Sequence, residues 1–371
     1  MNILIYYAQN ARAVDQQSQA LLFRKMGHNP ILLTWLPEGD LHRNFKKHGF
    51  EAYSAQHVKG RSIVFFIRQA IYLVRFCREH KIDIIFSHLQ NSAIVTGIAR
   101  FFTKAKVVYV RHHSDYVGIY NSRKEKAQNW FANKYSPKII AISEGVKQQL
   151  IKEGVNEKKI VRINLCYDFK EYIGDVSGKH ESLDTMLGSD LTILYVARLD
   201  PVKRHKEAFK VVEGLLKKNI NCKLVCIGAG NIENELRKYV ADHGLGANIL
   251  LPGFVTNVFD YIQASDILML ISDTEASSHM LKEAGLNKKT IIVCKGVGDF
   301  SDYIVHGENG FLVDRENPVP ETIAILEKMA ENKIHLKEMG EKLNATINHH
   351  FSIDGNFVEL YAQLFKDLKV G

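Results

Sequence analysis

Cysteine is scarce. Five in 371 residues are far fewer than a disulfide-stapled scaffold needs. Cys222 and Cys226 lie in the apolar run Cys222-Lys223-Leu224-Val225-Cys226-Ile227; their spacing is wrong for a metal knuckle, so they read as reduced core residues. Proline (7) and glycine (25) leave little room for a low-complexity tail. Long hydrophobic runs are missing too: none reaches the roughly 18 to 20 apolar residues of a membrane span. No basic stretch precedes the first apolar run, residues 2–7, as one would in a secretory signal. A soluble, cytoplasmic chain is the expectation, with residues 2–7 as a first strand. The turn after that strand, Tyr7-Ala8-Gln9-Asn10-Ala11-Arg12, holds no glycine, which excludes a G-x-G-x-x-G there. No G-x-x-x-x-G-K-[ST] loop occurs anywhere. NAD-dependent and P-loop readings therefore lose most of their support. Gly228-Ala229-Gly230 is only a short turn after a strand.

Hydrophobic residues make up 46% and charged residues 24%, ordinary for a globular chain of about two to three domains. The net charge of +8 is unevenly spread. Residues 1–170 carry 27 Lys and Arg against 12 Asp and Glu, a net of +15, whereas residues 171–371 carry 22 against 29, a net of −7. A basic and an acidic half suggest two domains with different partners; a basic surface attracts nucleic acid, anionic membrane or phosphorylated ligands.

The pattern is strand then helix, twice over. In the first half β-branched or aromatic runs occupy residues 2–7, 31–34, 83–87, 107–110, 138–142 and 160–163, with helical spacing over 14–26, 62–80 and 92–102. In the second half the runs are 191–196, 223–227, 249–251, 267–271, 290–293 and 311–313, with helices over 203–217, 232–243 and 321–339. Buried runs alternating with amphipathic helices predict α/β architecture: two doubly wound parallel sheets with a cleft between them. The polar segment Gly174-Asp175-Val176-Ser177-Gly178-Lys179-His180-Glu181-Ser182 reads as the linker. Residues 357–368 have helical spacing and read as a last helix.

Positive charge stands where glycine does not. Arg198 and Lys203, five apart between a strand end and a helix start, suit a bound phosphate; alone, the run Lys203-Arg204-His205-Lys206 reads as well as a solvated basic turn. A second cluster, Glu275-Ala276-Ser277-Ser278-His279-Met280-Leu281-Lys282-Glu283, follows a buried strand and opens a helix near Ser277 or Ser278. Free N–H groups at that start suit a diphosphate, and the two carboxylates suit sugar and ribose hydroxyls. A capped helix with ordinary surface glutamates is the plainer alternative.

Together these elements resemble the retaining glycosyltransferases of the GT-B fold, specifically glycosyltransferase family 4 of the bacterial cell-surface polysaccharide and lipopolysaccharide type. Glu275 and Glu283 match that family's two glutamates separated by seven residues. Tyr195-Val196-Ala197-Arg198-Leu199-Asp200-Pro201-Val202-Lys203 matches its strand–Arg–loop–Lys element. Leu251-Pro252-Gly253-Phe254-Val255, Asn309-Gly310-Phe311-Leu312-Val313 and Ile140-Ala141-Ile142-Ser143-Glu144 match three further segments. The resemblance implies a first, acceptor-binding domain over 1–170 and a second, nucleotide-sugar domain over 171–350. It also implies a C-terminal helix in 351–371 packing back towards the first. By it, Arg198 and Lys203 neutralise the donor diphosphate, and Ser277, Ser278, His279, Met280 and Leu281 bind phosphates and donor sugar. Glu283 holds the ribose, Glu275 contacts the transferred sugar, and Val255 lies beside the base. His112, with His113 close behind, is the family's early-domain histidine near that sugar, after the strand in Val107-Val108-Tyr109-Val110-Arg111-His112-His113-Ser114-Asp115. No metal is implied, since cations and helix N–H groups stabilise the departing nucleotide; a UDP-sugar is favoured over a GDP-sugar as donor. Three departures stand out: no glycine pair in the first loop, no Asn-Gly turn after residue 163, and Ser277-Ser278 in place of Phe-Gly.

The basic half also holds a helix over 61–80 with Arg61, Arg68 and Arg75 at heptad spacing among aromatic and aliphatic residues. That spacing suits an interfacial helix on an anionic membrane, where a polyprenyl-diphosphate-linked sugar or other saccharide acceptor is met; a helix packed on the sheet with one basic stripe outward is the alternative. Two other function classes remain open. A GT-B sugar-nucleotide epimerase would release an altered sugar without an acceptor. A nucleic-acid or anionic-surface binding protein with a degenerate donor site fits the charge, but no nucleic-acid motif is present.

Overall fold

The computed structural model describes residues 1–55, 63–114, 122–172 and 189–370. The linker 174–182, Arg61 and Asp115 lie outside them. The chain divides into two domains, Met1–Tyr172 with Phe351–Gly371, and Ile173–His350.

The first domain is built on β1 (Asn2–Tyr7), β2 (Asn29–Thr34), β3 (Glu51–Ser54), β4 (Ile84–His88), β5 (Lys106–Arg111), β6 (Lys138–Ala141) and β7 (Ile160–Arg162). They form one parallel sheet in the order β3-β2-β1-β4-β5-β6-β7. Between and after them run α1 (Val14–Lys25), α2 (Asp40–Lys47), α3 (Ile63–Glu79), α4 (Gln90–Ala99), α5 (Arg123–Tyr135), α6 (Glu144–Lys152) and α7 (Phe169–Tyr172). Because strand side chains alternate in direction, β1 feeds two cores. Leu4 and Tyr6 join Leu73, Phe76 and Val95 on one face, while Ile5 joins Ala20, Leu41 and Phe45 on the other.

The second domain repeats the plan with β8 (Leu191–Val196), α8 (His205–Lys217), β9 (Cys222–Ile227), α9 (Glu233–Asp242), β10 (Ile249–Gly253), α10 (Val258–Ala264), β11 (Ile267–Leu270), α11 (His279–Leu286), β12 (Thr290–Cys294), α12 (Phe300–Tyr303) and β13 (Phe311–Val313). Its parallel sheet runs β10-β9-β8-β11-β12-β13. Both sheets thus show the doubly wound order of Rossmann-like domains, reversing at β1/β4 and at β8/β11. All five cysteines are free and buried.

Two expectations change. The helix read over 321–339 is two helices, α13 (Pro318–Glu331) and α14 (Lys333–Phe351). Asn332 leaves helical geometry at φ −135°, ψ 71° and breaks the ladder between them. Helix α8 starts at His205, because Pro201–Lys203 forms a separate 3-10 turn ended by Arg204 in the left-handed region at φ 49°. The last helix, α15 (Phe357–Asp367), lies in the first domain, where Tyr361 meets the Phe23 and Phe86 rings at 5.0 and 5.8 Å.

Helix α3 is two-faced in an unusual way. Phe65, Leu73, Val74 and Phe76 are buried, yet Ile63, Val64, Ile67 and Ile71 are exposed, Ile63 by 77%. Arg68, Arg75 and Arg78 border that stripe. Arg78 donates to the Phe102 carbonyl at 3.4 Å, which places the exposed rings of Phe101 and Phe102 at the same end. Among the described residues no helix is long and apolar enough to cross a membrane.

Candidate active site

In a parallel sheet every strand delivers its following loop to the same edge. Where the order reverses, neighbouring loops part and leave room for a ligand. In the second domain that reversal separates the loops after β8 and β11. After β8 the chain runs Ala197-Arg198-Leu199-Asp200. The Asp200 carboxylate accepts from the Val202 N–H at 3.3 Å and starts the 3-10 turn that ends on Lys203. After β11 the chain reaches Glu275. Lys203 Nζ donates to Glu275 Oε1 at 2.5 Å, and Ser272 Oγ donates to the same oxygen at 3.0 Å. The Lys203 and Glu275 side chains are only 16% and 12% exposed. The Tyr195 hydroxyl donates to the Lys203 carbonyl at 2.5 Å and fixes the turn from beneath. Arg198 is 59% exposed, with Asp200 at 3.4 Å. The site therefore offers one exposed guanidinium and one ammonium already held in place by a carboxylate.

The Gly228-Ala229-Gly230 turn has a structural reason that periodicity did not reveal. Leu199 N–H donates to the Ala229 carbonyl at 3.0 Å. A Cβ on Gly228 would lie 2.0 Å from the Ala197 carbonyl oxygen, and one on Gly230 would lie 2.1 Å from that of Leu199. Only glycine lets this turn clamp the Arg198 loop. Gly298 plays the same part for Glu275: at φ +55° it has room for no Cβ, since one would meet the Glu275 Cβ at 2.6 Å.

Helix α11 begins one residue after Ser278, as expected, but its start is arranged differently. The Ser278 side chain makes no capping bond; instead Asp299 accepts from the Ser278 N–H at 3.1 Å and from Ser277 Oγ at 2.7 Å. Lys282 donates to Ser277 Oγ at 2.6 Å and pairs with Asp299, both side chains being wholly buried. Burial pulls the Lys282 ammonium below its usual range, partly offset by the Asp299 charge. A buried ammonium requires a counterion; Asp299 supplies it and takes a helix N–H that was expected to stand free. Met280 and Leu281 are 3% and 0% exposed. Their side chains belong to the core. His279 is exposed, Glu283 and Val255 are half-buried, and Phe254 is exposed.

In the first domain the reversal lies between β1 and β4. Leu89, directly after β4, has φ 69° and ψ 157°, a region nearly reserved for glycine that costs about 1–3 kcal/mol and clusters at functional sites. The residue before it, His88, is buried. Its Nδ1 meets His112 Nε2 at 2.9 Å and its Nε2 meets Gln19 Oε1 at 3.0 Å. Gln19 in turn donates to the Tyr361 hydroxyl of α15 at 2.8 Å. On its other side His112 Nδ1 lies 4.0 Å from Asp15 Oδ2. Burial lowers the His88 pKa well below its ordinary value, helped by His112, and raises that of Asp15 from 3.8 to about 6. His112 is thus gripped between a carboxylate and a neutral imidazole. His113 turns away, with its ring on Asn129 at 3.2 Å; burial, then the Arg111 charge, lowers its pKa to about 4. His88, Asp15, Lys282 and Asp299 were not singled out from the sequence. Ser143 and Asn309 hold local structure: Ser143 caps α6 through the Val146 N–H at 3.2 Å, and Asn309 ties its own turn through the Val305 N–H at 2.8 Å.

Two family models match the chain in succession: Glycosyltransferase Family 4 over residues 17–171 and Glycosyl transferases group 1 over residues 186–345. The poly(ribitol-phosphate) alpha-N-acetylglucosaminyltransferase of Staphylococcus aureus (strain COL) is 23% identical over 265 residues, 71% of this chain and 50% of that protein. The N-acetylgalactosamine-N,N'-diacetylbacillosaminyl-diphospho-undecaprenol 4-alpha-N-acetylgalactosaminyltransferase of Campylobacter jejuni is 23% identical over 255 residues, 66% of each. The chain spans about half the length of the first curated relatives it matches, 50% and 48%. Among solved structures, Anabaena HepE in complex with UDP and glucose is alike in fold, with a TM-score of 0.79 at 18% identity over 100% of this chain and 99% of that one. The chain therefore carries, in order, a Glycosyltransferase Family 4 domain and a Glycosyl transferases group 1 domain, and it is a homologue of the GT-B glycosyltransferases.

Proposed function

We propose that this chain is a retaining glycosyltransferase that moves a hexosyl unit from a nucleoside-diphosphate sugar, a UDP-sugar in preference to a GDP-sugar, to a saccharide or polyprenyl-diphosphate-linked glycan. The setting is bacterial cell-surface glycan synthesis on the cytoplasmic side. The observation that carries the reading is the meeting of Lys203 with Glu275 beside Arg198 where the second sheet reverses its order. In the reaction the bond from the anomeric carbon to the diphosphate breaks and its electron pair goes to the phosphate oxygen. The acceptor hydroxyl oxygen bonds the same carbon and passes its proton to the departing diphosphate. Arg198 and Lys203 stabilise the charge developing on the leaving diphosphate, so no metal is required. Glu275, released from Lys203 as the diphosphate takes the ammonium, accepts from sugar hydroxyls. Glu283 serves the ribose, and His112 serves the transferred sugar. Support comes from the two family models and from relatives whose names are those of a poly(ribitol-phosphate) and a diphospho-undecaprenol glycosyltransferase.

The exposed Ile63, Ile67 and Ile71 with Arg68, Arg75 and Arg78 suit a membrane rich in anionic lipid: the isoleucines enter the interface, and each arginine adds about 1 kcal/mol. No nucleic-acid partner is proposed.

Three outcomes are expected. Lys203→Ala loses about 10²–10³-fold in turnover of its UDP-sugar while its circular dichroism stays unchanged; near-normal turnover contradicts the site assignment. The Asp15 carboxylate, with its pKa near 6, faces His112 as an anion only above that pH. Hence kcat/KM rises as pH rises through about 6, and Asp15→Asn flattens this limb; an unaltered profile in the variant contradicts the role. In flotation at low salt, the protein rises with phosphatidylglycerol vesicles and Ile67→Asp/Ile71→Asp does not; absence of binding by the unaltered protein removes the membrane partner.

A further inference from the structure

The first domain has a second concavity that none of the roles above uses. It is a pocket of about 510 Å³ between α5 and the segment from the end of α6 to β7, a volume that suits a small ligand. Its polar character is one-sided. Lys126, Lys134 and Lys159 line it, and Glu153 is the one carboxylate among the described residues that do so. The Glu153 charge is already engaged. Arg111, wholly buried, donates to its two oxygens at 2.5 and 2.8 Å. Asn129 and Asn133 donate to Oε2 at 2.8 and 2.7 Å, and Gln149 donates to Oε1 at 3.0 Å. Burial alone would raise the Glu153 pKa, but the Arg111 bonds and charge outweigh it and hold the group at about 2. The floor is therefore a saturated, rigid ion pair, and at the wall Lys159 Nζ donates to the Lys134 carbonyl at 3.1 Å, which brings the Lys134 and Lys159 side chains together.

The wall adds an aromatic surface. Trp130 is 56% exposed, and the Lys134 ammonium lies 4.5 Å from its ring centroid. Ring and cation are presented together, a combination that fits a pyranose face joined to an anion. Arg111 holds Glu153 and His113 holds Asn129 from behind the lining, and His112 is the residue between them in sequence.

We propose that this pocket binds an anionic saccharide, a sugar carrying a phosphate or carboxylate, with the sugar ring on Trp130 and the anion on Lys134 and Lys159. The choice of a sugar rests on the glycosyltransferase reading; the pocket's preference for an anion beside a ring does not. The site is separate from the donor loops after β8 and β11, and it gives the acceptor class a charge.

Intrinsic fluorescence tests this directly, because the chain holds two tryptophans, Trp35 and Trp130, both in the first domain. The full chain is titrated with glucose 1-phosphate in the absence of any nucleotide sugar. A saturable change in emission is expected that vanishes in Trp130→Phe, and whose midpoint rises about tenfold or more in Lys134→Gln/Lys159→Gln. Glucose alone and inorganic phosphate alone should need much higher concentrations. The proposal is overturned by the absence of a saturable change, by a change that survives in Trp130→Phe, or by inorganic phosphate or a short single-stranded DNA matching glucose 1-phosphate. The assay needs no turnover, so its failure is distinct from failure of the donor-site variants: Lys203→Ala should leave this binding intact.

Discussion

Lys203 and Glu275 stand 72 positions apart and are in contact because β8 and β11 are parallel neighbours. Ile193 pairs with Ile267 and Leu194 with Leu268, so both following loops leave the sheet at the same edge. Each charge is mostly buried, a state tolerated only when the partner is there. The pair therefore fixes two loops at once, and the surrounding structure is shaped to keep it. Tyr195 holds the turn below, Gly298 makes room behind Glu275, and the Gly228–Gly230 turn clamps the Arg198 segment. An anion arriving at this edge meets a cation already brought to it by its partner carboxylate and takes that cation over, so little ordering is left to the binding step.

The same logic is repeated in the first domain with different side chains. There the reversal between β1 and β4 gathers Asp15, His88 and His112, and the backbone strain at Leu89 lies beside them. The C-terminal helix takes part through Tyr361 on Gln19, so an element distant in sequence supports the imidazole pair. Each domain thus concentrates its polar chemistry at the one place where a doubly wound sheet leaves loops apart.

What was legible in the sequence was whatever depends on local order. Arg198, Lys203 and Glu275 each follow a buried strand, and a parallel sheet sends such residues to one edge without further information. Strand runs such as 191–196 and 311–313 declared themselves by continuous apolar burial. The Lys282–Asp299 pair did not. Seventeen positions separate the two, and nothing in periodicity says that a lysine inside an apolar helix face has a counterion in a later loop. His88 was hidden for a similar reason: its significance lies in contacts with Gln19 on α1 and with His112 after β5, both distant in sequence. The break at Asn332 was missed because an asparagine within a helical pattern costs little by propensity alone, and its backbone geometry is set by packing.

The central claim is that the loops after β8 and β11 bind a nucleoside diphosphate through Lys203. Calorimetric titration of the intact chain with UDP and GDP, repeated with Lys203→Ala, tests it most directly. The account predicts saturable heat with UDP, weaker with GDP, and an affinity lower by about tenfold or more in the variant, equivalent to at least ~1.4 kcal/mol. Equal affinity in the two proteins, or no heat with either nucleotide, would contradict it.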